Sequence, residues 1–181
     1  MGASRGTGAR LLGVIRDFQQ AGAAAALRRL DLSGMADRPA ADVFVAMLEF
    51  LCPPGGAIDE AISRQAMLDA IGNLEEAGVT SFEAMSPEML HEVFMDFVAL
   101  SIEGRVIADI AAKGIALSSD TEAVENIQTQ LHDFIDGCCR VHLSGLLTGL
   151  NSLNDREVTN RVDEIYGAAF SLIAEGGEDS Q

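Results

Sequence analysis

Five residues that could ligate a metal lie close together: His132, Asp136, Cys138, Cys139 and His142. His132 and Asp136, like Cys138 and His142, are four apart, so a helix would put each pair on one side. The two pairs do not share a face, and zinc requires three or four convergent ligands. The spacing therefore predicts a polar flank with two small buried thiols. The run Cys138-Cys139-Arg140 would lower a thiol pKa only if the guanidinium turned onto a sulfur. Adjacent helical residues point about 100° apart, which argues against a nucleophile.

A second candidate is Glu103, Arg105, Asp109 and Lys113. Arg105, Asp109 and Lys113 are spaced at four, the pattern of an alternating ion-pair ladder on a solvated helix face. The rival reading is a site between helices in which these side chains point inward, giving a ligand-binding or enzymatic domain. Paired acids such as Asp59-Glu60 and Glu75-Glu76 fall at helix starts or on exposed faces, where they serve caps and solubility. Gly2, Gly6 and Gly8 follow no strand and precede no Lys-Ser or Lys-Thr, so they form no phosphate loop. Met85, Met89 and Met95, around Phe94 and Phe97, read as core filling, with an adaptable partner surface as the alternative.

The charge distribution singles out a third set. The 181-residue chain carries 12 Lys and Arg against 28 Asp and Glu, a formal net charge of −16. Such a molecule repels phosphate backbones and anionic membranes, which argues against direct nucleic-acid or membrane binding. Residues 1–38 are the exception, with six arginines against Asp17, Asp31 and Asp37. Arg10, Arg16, Arg28 and Arg29 are thus the candidate partner interface. They could meet the chain's own acidic faces or an acidic partner.

No cofactor motif accompanies them. The odd cysteine count, Cys52, Cys138 and Cys139, suits reduced thiols in a cytoplasmic protein. No apolar run approaches the roughly 18 to 20 residues of a membrane span. Ala23 to Leu27 is followed at once by Arg28 and Arg29, unlike a signal peptide, and Gly6 stands where N-myristoylation needs Ser or Thr.

The elements that would position these residues are all helical. Ser86, Pro87 and Glu88 mark the start of a long helix through Ile115, with Leu90, Val93, Phe97, Leu100, Gly104, Ile107, Ala111 and Gly114 as its apolar stripe. Ser118 to Asp120 caps a second long helix ending by Asn151. Its seam is Val124, Ile127, Leu131, Phe134, Cys138 and Val141, and its partner should be the first long helix. Shorter helices are expected over Ala9 to Gln20, Ala23 to Leu30, Pro39 to Cys52 and from Asp59 to near Gly78, with a last one from Asn154 or Asp155. Pro53-Pro54-Gly55-Gly56 is a forced connector. No strand signal or internal repeat is present. The expected fold is all-α, a single bundle of about seven to eight helices with two long central ones. Residues 1–8 would be a flexible lead-in, 9–174 the helical domain and 175–181 a disordered acidic tail.

Four segments, Ala9 to Gln20, Gly34 to Phe44, Cys52 to Ile62 and Ser101 to Leu117, resemble the C-terminal helical region of the QatB family. That family is a component of the bacterial Qat anti-phage defence cassette, and the likeness runs from about Ala9 to Ala174. It implies a non-enzymatic interaction or scaffold subunit. Its cassette partners resemble an ATPase, a QueC-like deazapurine-synthesis enzyme and a TatD-like nuclease, and the chemistry would be theirs. A second copy of the chain is a further expected partner. QatB-like proteins begin Met-Gly and continue through a long Gly, Ser and Pro-rich region, on whose N-terminus the QueC-like member is expected to act. Here only about eight residues precede the first expected helix, which reads as an excised domain with Gly2 accidental; the alternative is a shorter natural form with Gly2 as acceptor.

Overall fold

The computed structural model describes residues 1–112 and 121–178. Seven α-helices and three short 3-10 turns make up these residues, with no strand among them. The helices are α1 (Gly2–Ala21), α2 (Ala23–Arg28), α3 (Ala40–Leu51), α4 (Ile58–Glu76), α5 (Pro87–Ala112), α6 (Thr121–Leu143) and α7 (Asp155–Glu178). The expected all-α bundle with two long central helices is present.

The largest departure is at the N-terminus. Residues 1–8 are not a lead-in: α1 starts at Gly2 and its first turns lie inside the bundle, with Ser4, Thr7 and Gly8 buried. Large side chains are unnecessary there because the neighbours supply them. A Cβ on Gly8 would lie 3.2 Å from Val162, 3.6 Å from Phe97 and 3.7 Å from Tyr166, so α1 fits between α5 and α7 only because this position is bare. Thr7 on this face is paired sideways, Ser63 Oγ donating to Thr7 Oγ1 at 2.8 Å, whereas the buried Ser4 Oγ has no partner among the described residues. The α1 N-terminus has no local cap. Asp59 of α4 accepts the Ala3 N–H at 2.8 Å and places a carboxylate at the positive end of the dipole.

Gly22, at φ 81°, ends α1 and turns the chain into α2, a conformation that costs glycine little. Pro39 precedes α3, whose Val43, Phe44, Met47, Leu48 and Leu51 are all buried, as their breadth predicts. The 3-10 turn Phe82–Ala84 inserts Phe82 edge-on against Phe18 and Phe44, at centroid distances of 5.3 and 5.6 Å. Two backbone bonds hold it, Phe82 N–H to Arg38 O and Glu83 N–H to Ala36 O.

Helix α5 packs against α1, α4 and α6, which explains why its buried set is wider than one stripe. Phe94, Met95, Val98, Ala99 and Ile102 join Leu90, Val93 and Phe97, while Leu100 and Gly104 are only half-buried. Met85 and Met95 fill core and Met89 is exposed. Helix α7 lies along α1 and α6 and reaches α5 through Tyr166, whose fully buried hydroxyl meets Ser101 Oγ at 2.6 Å. Ser101 Oγ donates to the Val98 carbonyl, so Tyr166 is the donor of the pair.

Helix α6 packs on α5 as expected, but through a different face. Ile135 and Cys139 are buried and Leu131 of the expected seam packs against the core, whereas Phe134 and Val141 of that seam are exposed. It also ends at Leu143, earlier than Asn151, and gives way to 3-10 turns at Ser144–Leu147 and Leu150–Ser152 around Gly149, at φ 72°. Asn154 caps α7 by accepting the Arg156 and Glu157 N–H groups. The helix continues to Glu178, into the segment expected to fray. The Ser118 to Asp120 cap, Gly114 and residues 179–181 lie outside the described residues, as do the side chains of Val124 and Ile127.

Candidate docking groove

Between α1, α2, α3 and α7 is a cavity of about 540 Å³. Its walls combine Val14, Leu30, Phe50 and Val158 with Arg10, Arg16 and Arg29. Three of the four candidate arginines thus come together, Arg10 and Arg16 from α1 and Arg29 as the residue that ends α2. Arg28 points elsewhere into solvent.

The arginines divide into two kinds. Arg16 is buried, Nη2 2.8 Å from Asp17 Oδ1 and Nη1 2.7 Å from Asp155 Oδ1, and it also donates to the Leu153 carbonyl at 3.3 Å. Arg29 meets the other Asp17 oxygen at 2.5 Å. Asp17 therefore bridges two guanidiniums and ties the end of α2 to α1, while Arg16 anchors the start of α7. These cations are structural, each satisfied by the chain's own acids. Arg5 behaves likewise, 2.8 Å from Asp163 and 5.7 Å over the Tyr166 ring.

Arg10 is different. Its Nε donates to the Leu51 carbonyl at 2.9 Å and one Nη to Thr7 Oγ1 at 3.4 Å, but no carboxylate pairs with it among the described residues. These two neutral acceptors fix the guanidinium without cancelling its charge. The groove lining therefore contains three guanidiniums and two carboxylates, and the uncompensated cation is at Arg10. Phe50, nearly half exposed at the edge, adds a large apolar surface. A fixed surplus cation beside apolar walls suits an anionic group attached to a nonpolar segment.

Sequence reasoning found the arginines but not Asp17, Asp155 or Phe50. Asp17 directly follows Arg16, a signal for pairing that was available. Asp155 was read only as a helix cap and Phe50 not at all, because their proximity comes from α3 and α7 folding back onto α1.

The other candidate sets do not converge. Arg105 and Asp109 form an exposed pair at 3.1 Å, while Glu103 turns the other way to His132 Nδ1 at 2.8 Å; Lys113 lies outside the described residues. Arg105 and Asp109 thus point outward, whereas Glu103 is turned inward against α6. Asp136 pairs with Arg140 at 2.8 Å, and Arg140 also reaches Glu92 and Asp96, clamping α6 to α5. Cys139 is fully buried, its thiol pushed up to about 12 by burial and by the nearby Asp136 charge. Burial also raises the Cys52 thiol. Among the described residues no three His, Cys, Asp or Glu side chains come together as a metal set, and the His142 side chain is outside them. No described helix is long and apolar enough to cross a membrane.

No curated protein and no solved structure matches the chain. The family model described as "Qat anti-phage system associated protein QatB" matches residues 1–173, which include α1 through most of α7 and every residue lining the groove. The chain belongs to the QatB family of anti-phage defence proteins.

Proposed function

We propose that this chain is an interaction domain of the Qat defence assembly, which grips an acidic, partly apolar segment of a partner protein in the groove beside Arg10. The observation that carries this reading is the contrast within the groove. Arg16 and Arg29 are neutralised internally, whereas Arg10 is held by a backbone carbonyl and a hydroxyl and keeps its charge available. On a chain with a net charge of −16, one immobilised cation beside apolar walls is a selective feature. Arg28, exposed and without a carboxylate partner among the described residues, adds a steering charge nearby in sequence.

The partner is one of the other cassette proteins, the QueC-like enzyme or the ATPase first and the TatD-like nuclease after them. The domain positions that protein and performs no reaction itself, in the bacterial cytoplasm. Co-expression with each partner, followed by measurement of the complex mass, tests this. A stable complex with one of them that Arg10→Glu dissolves supports the proposal. Separate species with every partner overturn it. Arg16→Glu is unsuitable as a probe, because it would place like charges beside Asp17 and Asp155 and loosen α7.

A further inference from the structure

Arg10 has donors to spare. A guanidinium carries five N–H groups in a planar fork. The Nε–H goes to the Leu51 carbonyl at 2.9 Å and one Nη2–H to Thr7 Oγ1 at 3.4 Å, which leaves three, two of them on Nη1. None of these three has a partner among the described residues. Glu60, which lines a smaller cavity together with Arg10, instead accepts the Ala57 N–H at 2.8 Å at the start of its own helix.

The position beneath the free end of the fork is bare. Helical side chains lean toward the N-terminus, so the Arg10 guanidinium reaches back over the turn that holds Gly6. A Cβ on Gly6 would lie 3.5 Å from Nη1 and 3.7 Å from Nη2. These are ordinary van der Waals distances, so the fold does not require glycine here, and glycine weakens a helix interior. A longer side chain would lie across the two nitrogens and shield them from the groove that both residues line. Gly6 keeps the fork accessible.

We infer that Gly6 and Arg10 form a carboxylate subsite of the groove, in which a Glu or Asp side chain of the bound segment takes parallel N–H groups from Nη1 and Nη2. This rests on the groove reading above and adds the chemistry of the contact. Charge selects the anion. The groove holds one cation more than it holds carboxylates, which matches a single carboxylate; a phosphate group, at about −1.5 to −2, would leave excess negative charge beside Asp17 and Asp155. Shape selects the cation, because a guanidinium fork meets two carboxylate oxygens at once and a lysine ammonium is a point charge.

Titration calorimetry of the full chain with each of the proposed cassette partners, at fixed ionic strength, tests the subsite through two substitutions that keep the positive charge. Arg10→Lys removes the fork, and Gly6→Leu covers it while leaving the bonds of Arg10 to Leu51 and Thr7 in place. Each is expected to raise the dissociation constant at least about tenfold. Gly72→Leu, at an exposed position on α4 where a Cβ would meet nothing within 4 Å, is expected to bind as wild type does. Circular dichroism melting verifies each fold; if Arg10→Lys loosens the chain through the lost Leu51 bond, Gly6→Leu decides. Wild-type affinity in either charge-keeping variant while Arg10→Glu binds weakly, or an equal loss in Gly72→Leu, would overturn the subsite and leave the groove reading standing. Wild-type affinity in Arg10→Glu, or no complex with any partner, would overturn both.

Discussion

Helix α1 has few large apolar residues in its first two turns and is enclosed by the bundle, whereas α6 has a continuous apolar row and leaves part of it in water. The two are mirror cases of one principle. A close-packed interior needs filled space, but either side of a contact can fill it. At Gly8 the volume comes from Val162, Phe97 and Tyr166, and α1 contributes the absence of a side chain. At α6 the inner contact is made by Ile135 and Cys139, with Leu131 beside them, and locked by ion pairs from Arg140, while Phe134 and Val141 are exposed. Apolar spacing indicates that a face can bury surface, without saying whether the neighbour is in the same molecule.

The largest expected effect breaks the α1 half of this contrast. Gly8→Leu forces a side chain into occupied space and should cost about 1–3 kcal/mol or more, read as a lowered urea midpoint with an unchanged slope. Gly13→Ala is the sharpening partner. Its Cβ meets nothing within 4 Å, so the gain in helix propensity should raise stability by up to about 1 kcal/mol. Equal responses at both glycines would mean that α1 is not tightly enclosed.

Tyr166→Phe removes a buried donor to Ser101 while keeping the ring against Gly8. A loss of about 1 kcal/mol is expected in the same denaturation, since Ser101 retains its bond to the Val98 carbonyl. A neutral result would show that the hydroxyl pair does not help to fasten α7 to α5.

A smaller effect tests how α6 is held. The hydrogen bond to Glu103 raises the His132 pKa, so the charged pair is fully formed below the ordinary histidine value of about 6.5. Its stabilisation is lost as pH rises through the higher folded value. Since the His132 side chain is 41% exposed, solvent screening limits this to a few tenths of a kcal/mol. Burial lowers the His91 pKa, which gives that residue the opposite pH dependence. The informative quantity is therefore the difference between wild type and His132→Gln, which should shrink between about pH 6 and pH 8. A difference independent of pH would contradict the pairing. The smallest effect is chemical: Cys138, alone among the cysteines in being only partly buried, should be alkylated before Cys52 and Cys139 with no loss of helix. Mass spectrometry of the alkylated peptides gives the order.

The helix inventory was legible in the sequence because its punctuation is local. Pro39, Pro53-Pro54, Gly22 and the Ser86-Pro87 start act through their own backbone, and each is found at or beside a helix boundary. The first eight residues were misread because enclosure by neighbours leaves no apolar period in the enclosed segment. The α6 face was misread because the helix carries two apolar rows, and only the tertiary pairing of Arg140 and His132 selects between them. Of the groove, Arg10, Arg16 and Arg29 were identifiable by charge. Which of them is neutralised depended on Asp155, remote in sequence, and on the Leu51 carbonyl, which no side-chain pattern reveals.

The most direct test of the interaction-domain reading is the affinity of wild type and Arg10→Glu for each of the proposed cassette partners, measured at fixed ionic strength. The account predicts binding weakened by at least about tenfold in Arg10→Glu, with Phe134→Glu binding the partner as wild type does. Equal affinities for wild type and Arg10→Glu, with binding abolished by Phe134→Glu, would contradict it and move the docking site from the groove to the α6 seam.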